Sequence, residues 1–489
     1  MNFMTRRNVT FTTIFMALGL LALSPMVRAV SPAPDGDYPG GNTAEGHNAL
    51  FSLTSGAYNT SVGFMSLFGN TTGAFDTAIG AGALLANTGD QNTATGAGAL
   101  LSNTTGTINT ADGAFSLASN TTGTGNTASG AQALFKNITG EENTAIGFSA
   151  LGSNSDGVGN TAVGFDALRN NISAAGNTAV GRSALASNLS GNQNTATGFV
   201  ALGLTTTGSS NTAVGFASLG SNVSGGNNTA IGGGALATNA SGSSNTAVGV
   251  LALGGGSGDS NTAMGSMALH SDGTGANNTA IGAGALANNT AGNNNIALGI
   301  NAGQNVVTAS DTICIGIAGV DVTDGCYIGH VFEEPLNPDN LPMAIDVNGK
   351  VGTLPSSRRF KDDIKPMDKT SEVILALKPV AFHYKDDKNC SPRFGLIAEE
   401  VAEVDPNLVA RGKDGKPYTV RYDQVNAMLL NEFLKEHRKV QEQETTINEL
   451  KKEIETVVAR LKQQDAKIQT VSMQIEMSKP ARRVAVNRP

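Results

Sequence analysis

Residues 42–303 repeat one short pattern of apolar and polar positions, N-T-A-x-G-x-x-A-L followed by a variable polar turn. The sixteen copies begin at Asn42, Asn59, Asp76, Asn92, Asn109, Asn126, Asn143, Asn160, Asn177, Asn194, Asn211, Asn228, Asn245, Asn261, Asn278 and Asn295. Their spacing is 17 residues apart from two steps of 16, and the fifth position is Gly in every copy. A fixed period with this fidelity predicts a solenoid.

The repeat is typical of a β-solenoid, because seventeen residues cannot hold two helices and two turns. Asn at the first position and Gly at the fifth favour turns. The third position is Ala in 15 copies and the fourth is Val, Ile, Leu or Met in 11. Consecutive strand residues point to opposite faces, so one apolar face would line the interior and the other would need neighbouring chains. With strands ~4.8 Å apart, sixteen coils predict a rod of roughly 75 Å with Asn and Thr stacked in ladders.

The N-terminus has the pattern of an export signal over residues 1–29. Arg6 and Arg7 precede an apolar run from Phe11 to Leu23, and small residues follow at Val27 and Ala29. This order predicts cleavage after Ala29, followed by a linker over residues 30–41 rich in Pro and Gly. An uncleaved anchor is the alternative, although the 13-residue apolar run is shorter than the ~20 residues of a membrane span.

The repeat N-T-A-x-G-x-x-A-L resembles the YadA-like head repeat of trimeric autotransporter adhesins. The resemblance implies a left-handed parallel β-roll that packs as a trimer, with longer loops here because the period is longer. It implies either an adhesive head that binds a surface glycan or protein, or a spacer that binds nothing. Both interpretations predict an exposed fibre.

Residues 304–355 form a β-rich transition after the regular repeats. Strand-like pieces are predicted at residues 312–316 and 326–329, and a hairpin with an Asn-Gly turn at residues 343–352. In an exported protein Cys314 and Cys326 could form a disulfide. Alternatively, they are small buried apolar residues within a coil, which is the interpretation favoured here.

Residues 356–422 differ from the repeats in being rich in charged residues. Their pattern predicts a small α+β domain of short strands and helices. Its motifs are SSRRFKDDI from Ser356, the F-H-Y-K strand, GLIAEEV, and Y-D-Q-V-N-A-M-L-L at a helix entry. They resemble the C-terminal intramolecular chaperone of phage endosialidases and other tail spikes, also found in the myelin regulatory factor family. The resemblance implies a domain that trimerises the preceding fibre and then cuts itself off. It carries over Ser356 as nucleophile and Lys361 as general base, with Ser357 where the family often has Asp.

The chemistry of such a cut at Pro355–Ser356 is reasonable. A serine hydroxyl is a weak nucleophile that needs a nearby base, and lysine can serve when burial favours its neutral form. The Ser356 hydroxyl can reach the Pro355 carbonyl through a five-membered ring, at high effective molarity. The alternative is a solvated Arg/Lys loop at the start of a helix.

Residues 423–478 carry a heptad pattern that predicts a coiled coil, followed by a basic tail at residues 479–489. The a positions are Phe433, Val440, Ile447, Ile454, Leu461, Ile468 and Ile475; the d positions include Leu429, Leu450, Val457 and Val471, with polar Gln443 and Gln464 between them. Ile at a with mixed d residues leans towards a trimer. A membrane-surface amphipathic helix is the alternative that the strict heptads disfavour.

Composition narrows the function classes. Lys and Arg number 32 against 40 Asp and Glu, and the repeats hold only three basic residues, so nucleic acid is not expected as a partner. No cluster of His, Asp or Glu predicts a metal or catalytic site in the repeats. The three cysteines lack the spacing of a zinc site. We expect no cofactor and no metal.

The sequence therefore predicts an exported homotrimeric fibre, at the cell surface, associated with the outer membrane or extracellular, with a single-turnover self-cleaving tail. A phage-derived tail fibre and a static spacer fibre without cleavage are the alternatives. A glycan-degrading spike would need paired carboxylates on an inserted domain, which the sequence does not contain. The pattern identifies neither the ligand nor a membrane anchor.

Overall fold

The computed structural model describes residues 39–256, 258–331, 342–346, 349–385, 387 and 389–479. The chain divides at residue 335 into two compact units. The predicted export signal lies outside the described residues, as do linker residues 30–38 and tail residues 480–489.

The first unit is a parallel β-solenoid with one three-residue strand per coil. Its strands β1–β18 are Thr43–Glu45, Thr60–Val62, Thr77–Ile79, Thr93–Thr95, Thr110–Asp112, Thr127–Ser129, Thr144–Ile146, Thr161–Val163, Thr178–Val180, Thr195–Thr197, Thr212–Val214, Thr229–Ile231, Thr246–Val248, Thr262–Met264, Thr279–Ile281, Ile296–Leu298, Ile313–Ile315 and Cys326–Ile328. Each strand pairs in parallel with the next along the chain. The predicted mainly-β solenoid is confirmed.

The register places equivalent repeat positions above one another. Thr161 pairs with Thr178, and Ala162 with Ala179. The third-position alanines, the eighth-position alanines and the ninth-position leucines together form the interior, where Ala162 and Leu168 have no exposed surface. Small alanines on the strand let the leucines of the opposite wall fill a narrow core, which explains why so few aromatic residues are needed.

The glycine at the fifth position is required by backbone geometry. Gly164 has φ +136°, and a Cβ there would lie 2.6 Å from the carbonyl oxygen of Gly181 in the next coil. Any side chain would push the coils apart. The ninth-position leucines also have positive φ, for example +51° at Leu168. This conformation is unfavourable for a bulky residue, so packing of the side chain into the core must offset its cost.

First-position asparagines form a buried ladder through the coils. The backbone N–H and the Nδ2 of Asn143 both donate to Oδ1 of Asn126, each at 3.1 Å. The same Nδ2 also donates to the carbonyl of Gly157 at 2.8 Å. Each amide thereby joins one coil to its neighbour and closes its own coil. The predicted asparagine ladder is present at this position.

A second asparagine ladder runs through the twelfth position, within the variable turn that follows the repeat motif. Asn154 Nδ2 donates to Oδ1 of Asn137 at 2.8 Å and to the carbonyl of Gly157 at 3.1 Å. That carbonyl therefore receives amide protons from both ladders. The two ladders share the fifteenth-position residue, usually Gly, as their common acceptor.

The outer face of the strands stays partly open in the chain. It carries the second-position threonines and the fourth-position Val, Ile, Leu and Met residues. Apolar fourth-position side chains such as Ile146 and Ile231 remain 44% and 42% exposed. The two faces thus differ, with the third position fully buried and the fourth only half covered.

The solenoid continues beyond the last regular copy. Strands β17 and β18 lie in the same sheet, over the predicted strand-like pieces of the transition. Cys314 is buried in the core and Cys326 is exposed, and both are free thiols. In the turn after the last regular copy, the backbone N–H groups of Val307, Thr308 and Ala309 donate to Oδ1 of Asp321 at 2.7–2.9 Å.

The second unit is a set of short strands around helices. Antiparallel pairs join β19 (Ala344–Ile345) to β20 (Val351–Gly352), β21 (Val380–Phe382) to β22 (Arg393–Gly395), and β23 (Val409–Arg411) to β24 (Pro417–Val420). The helices are α1 (Ala398–Val404) and α2 (Tyr422–Met477), with 3₁₀ helices at Arg358–Phe360, Asp368–Ala376 and Pro406–Leu408. No helix among the described residues is both long and apolar enough to cross a membrane.

Truncation of one core leucine should weaken the solenoid. Leu168→Ala removes a fully buried side chain and leaves a cavity, which costs about 2–5 kcal/mol of unfolding free energy. Pulse proteolysis of the full chain across a urea series measures this cost. The matched control Leu204→Ala truncates an exposed leucine and should change the midpoint little. Equal midpoints for the two variants would contradict this packing.

Candidate functional site

The two predicted site residues meet in the second unit. Lys361 Nζ lies 3.2 Å from Ser356 Oγ, within hydrogen-bonding distance. The short 3₁₀ helix Arg358–Phe360 lies between them and turns the chain back, because Phe360 N–H donates to the carbonyl of Ser357. A spacing of five residues therefore brings a nucleophile type and a base type into direct contact.

The site is open to solvent in the chain, since both side chains are exposed. The other charges nearby are also on the surface. Lys365 pairs with Asp363 at 2.8 Å, and the Arg359 guanidinium lies 4.7 Å from the centre of the Phe360 ring. Neither of these contacts involves the Lys361 amine, which lies against Ser356.

A small apolar core holds the second unit together. It comprises Ile374, Val401, Leu408, Val409, Val420 and Met428. These residues come from the 3₁₀ helices Asp368–Ala376 and Pro406–Leu408, from α1, β23 and β24, and from the first turns of α2. The long helix is therefore an integral part of the domain rather than an appendage.

A polar cluster ties the Asp368–Ala376 helix to α2. Ser371 is fully buried; its hydroxyl donates to Oε1 of Glu432 and accepts from Nδ2 of Asn431 at 2.6 Å. Lys435 Nζ lies 2.7 Å from the same Glu432 oxygen and 3.5 Å from Glu372. The hydrogen bond from Lys435 lowers the pKa of Glu432, and the same contact raises the pKa of Lys435. The cluster keeps both groups charged at neutral pH.

Helix α2 uses different faces for different contacts. Met428, Asn431, Glu432 and Lys435 face the rest of the domain. The heptad a and d positions are left uncovered, with the a residues 46% to 65% exposed. Within the described chain, no other segment covers this apolar stripe along the 56 residues of α2.

Within the described residues no group of three or more His, Cys, Asp or Glu side chains is placed to hold a metal ion. One surface concavity of about 380 Å³ lies on the flank of the solenoid, lined by residues such as Lys136, Ile138 and Leu189. Among the described residues, the contact between Ser356 Oγ and Lys361 Nζ is an arrangement that could support chemistry.

Residues 356–410 match the family model described as chaperone of endosialidase. The match begins at Ser356, includes Lys361, and ends within β23. No curated protein and no solved structure matches the chain.

The chain therefore carries an endosialidase-type chaperone domain directly after a β-solenoid. The combination fits a fibre with a C-terminal intramolecular chaperone. The resemblance of this domain is borne out by the match, whereas the solenoid is established as a fold without a specific link to adhesin head repeats.

Sequence reasoning missed the Ser371 cluster. Its partners lie about 60 residues away along the chain, and a single serine in a short helix gives no signal. The spacing of Asn431, Glu432 and Lys435 on one side of a helix, opposite the apolar stripe, was the available clue.

Removal of one member of this cluster should loosen the domain locally. Asn431→Ala deletes a donor to the buried Ser371 hydroxyl, at a cost of about 1–3 kcal/mol. Hydrogen exchange of the Asp368–Ala376 helix in the full chain should then accelerate by roughly 5- to 100-fold. Asn448→Ala, on the exposed part of α2, is the control and should leave that exchange unchanged. Equal exchange in the two variants would refute the role of the cluster.

Proposed function

We propose that this chain is an exported trimeric fibre whose C-terminal domain acts as an intramolecular trimerisation chaperone and cuts itself off between Pro355 and Ser356. The observation that carries the proposal is the 3.2 Å contact between Lys361 and Ser356 in a segment that matches the chaperone family. Each part of the proposal rests on a separate feature of the chain.

The cleavage step follows from the position of the hydroxyl. Lys361, as the neutral amine, takes the proton of Ser356 Oγ, and the oxygen attacks the carbonyl carbon of Pro355. The C–N bond breaks, an ester forms between Pro355 and the Ser356 oxygen, and the proton goes to the released Ser356 amine. Water then hydrolyses the ester, which frees the Pro355 carboxylate and restores the hydroxyl.

An open site disfavours this step in a single chain. A lysine in water stays protonated, and burial is what favours its neutral form. Because Ser356 and Lys361 are both exposed, we propose that association of chains covers them and so delays cleavage until the fibre has assembled.

Trimerisation is supported by two unpartnered apolar surfaces. One is the a/d stripe of α2, which we propose forms a three-stranded coiled coil. The other is the outer strand face of the solenoid, where the fourth position is Val, Ile, Leu or Met in 11 of the sixteen copies. Because these apolar positions recur with the period of the coils, a second copy of the solenoid is the partner that fits best.

The chaperone role has a kinetic rationale. A parallel solenoid trimer needs many contacts between chains in one register, and such non-local pairing forms slowly. Early association of α2 would hold three chains in register while the coils form. Removal of residues 356–489 afterwards would make disassembly effectively irreversible and leave the fibre kinetically stable.

We propose that the product is displayed at the cell surface, associated with the outer membrane, or released outside the cell. This rests on the charged and apolar pattern of residues 1–29. Its role is adhesion to a surface glycan or protein, with a purely structural spacer as the competing role.

The cleavage proposal predicts two fragments from wild-type protein. Intact mass should show one fragment ending at Pro355 and one starting at Ser356. Ser356→Ala removes the nucleophile, and Lys361→Arg keeps the positive charge but cannot act as a base, so both variants should remain whole.

The matched control is Ser357→Ala, which changes the adjacent hydroxyl and should still cleave. An intact wild-type trimer would mean that the domain only trimerises the chain and that the fibre is static. Cleavage in Lys361→Arg would show that a group other than this lysine is the base.

The trimer is tested on cleavage-deficient Ser356→Ala protein, so that α2 stays attached. Adding Ile454→Asp places a charge in the apolar stripe and should shift the sedimentation of the protein from trimer to monomer. Ala459→Asp puts the same charge on the opposite face of α2 and should leave a trimer. A trimer in both variants would mean that the outer strand face of the solenoid is enough to hold the chains together and that the stripe is not required.

A further inference from the structure

One carboxylic acid stands in each of the two asparagine ladders. Asp76 is the one aspartate among the sixteen first positions. Asp272 takes the twelfth position of its coil, where asparagine is the usual residue. Neither side chain has exposed surface.

An asparagine at these positions uses both ends of its amide. The oxygen accepts from the neighbouring backbone or coil, and Nδ2 donates to the fifteenth-position carbonyl. In the coil after Asp272, for example, Asn289 Oδ1 accepts from Gly292 N–H at 3.1 Å and its Nδ2 lies 3.0 Å from the Gly292 carbonyl. An ionised carboxylate can reproduce the first half of this pattern but has no proton for the second.

The contacts of Asp272 reproduce half of the asparagine pattern. Its Oδ1 accepts from Gly275 N–H at 3.1 Å and from Asn289 Nδ2 at 3.2 Å. Its Oδ2, the atom that replaces the amide nitrogen, is buried and has no hydrogen-bond partner. A proton on Oδ2 would supply the donor that the ladder lacks there.

Asp76 occupies a related position. Its Oδ1 accepts from Asn92 N–H at 2.8 Å, and its Oδ2 accepts from Asn87 Nδ2 at 2.9 Å. Other first-position residues donate to the fifteenth-position carbonyl, as Asn92 does to Gly106 at 2.9 Å. Asp76 can make that donation only as a neutral acid.

We propose that Asp76 and Asp272 are held as neutral carboxylic acids that act as asparagine substitutes, so that the solenoid is a pH-responsive element whose ladders weaken as the medium becomes alkaline. Loss of either proton would leave a negative charge on a fully buried side chain. The two sites lie in separate ladders, in the third and fourteenth coils, and so act independently.

The electrostatics agree with this geometry. Desolvation by burial raises the pKa of Asp76 to about 7, and the charge of Asp90 adds to the rise while hydrogen bonds from Asn92 and Asn87 oppose it. Desolvation also raises the pKa of Asp272 to about 7, against hydrogen bonds from Gly275 and Asn289. The titratable neighbour of Asp272 along the chain, His270, contacts the Leu251 carbonyl instead.

The sign of the effect follows from these values. The folded-state pKa exceeds the ordinary value of 3.8, so the folded chain binds more protons than the unfolded chain between about pH 4 and pH 7. The contribution of each acid to stability is full below that window and falls as the pH rises through it. Above about pH 7 both contributions are lost.

The test uses the full chain with Asp76→Asn, Asp272→Asn and the double variant. Urea unfolding, followed by the β-sheet amide infrared band, is compared at pH 5 and pH 8. Asparagine should raise the midpoint more at pH 8 than at pH 5, and the double variant should show the sum of the two gains. Asp112→Asn, at an exposed fourth position, is the control and should give the same small change at both pH values.

A direct readout is the infrared C=O stretch of a protonated carboxyl group. Wild-type protein at pH 6 should show this band, and each variant should lose part of it. Equal stabilisation at both pH values together with no carboxyl band would overturn the proposal. The infrared signal also decides the matter if one variant fails to fold, because the other single variant and the wild type still report on the band.

Discussion

The buried asparagine amide is the interaction on which the solenoid depends. A coil of seventeen residues has little apolar interior, and its turns bury backbone groups that strands do not satisfy. The Asn143 amide shows the solution, since it binds the coil before it and closes its own coil through the Gly157 carbonyl. Because the Oδ1 of Asn143 is satisfied only by Asn160 in the next coil, a coil cannot satisfy its buried polar groups alone. Stability then accumulates along the stack, as expected for a quasi-one-dimensional protein.

The same arrangement leaves apolar surface exposed on the outside of the solenoid. The interior is filled by Ala and Leu, so the larger β-branched residues of the fourth position lie on the surface of the sheet. The long helix repeats this division, because one side closes the chaperone domain through Ser371 and Met428 while the apolar stripe is uncovered. Both units thus leave apolar surface for association.

Much of this architecture could be predicted from the sequence, because the repeat shows the same residue preference at equivalent positions of sixteen copies. The period predicted the coils, and the alternation of the apolar third and fourth positions predicted one interior face and one outward face. The twelfth-position ladder was not predicted, because the sequence of the turn around it varies and hides the recurrence of Asn137 and Asn154. The Ser356–Lys361 contact was predictable from a local motif, whereas the Ser371 cluster was not, since it joins residues some 60 positions apart. Local patterns therefore reveal repeats and short-range sites, while unrepeated long-range contacts need coordinates.

The carboxylate of Asp321 caps the backbone N–H groups of the turn that follows the last regular copy. Elsewhere the backbone N–H groups at this corner point to a carbonyl of the following coil, as Thr290 does to Val307. At Val307, Thr308 and Ala309 a single side chain takes over that task. An unfinished corner would offer a template to another molecule and invite end-to-end polymerisation. The number of repeats then sets the length of the solenoid, with one strand spacing of ~4.8 Å for each repeat.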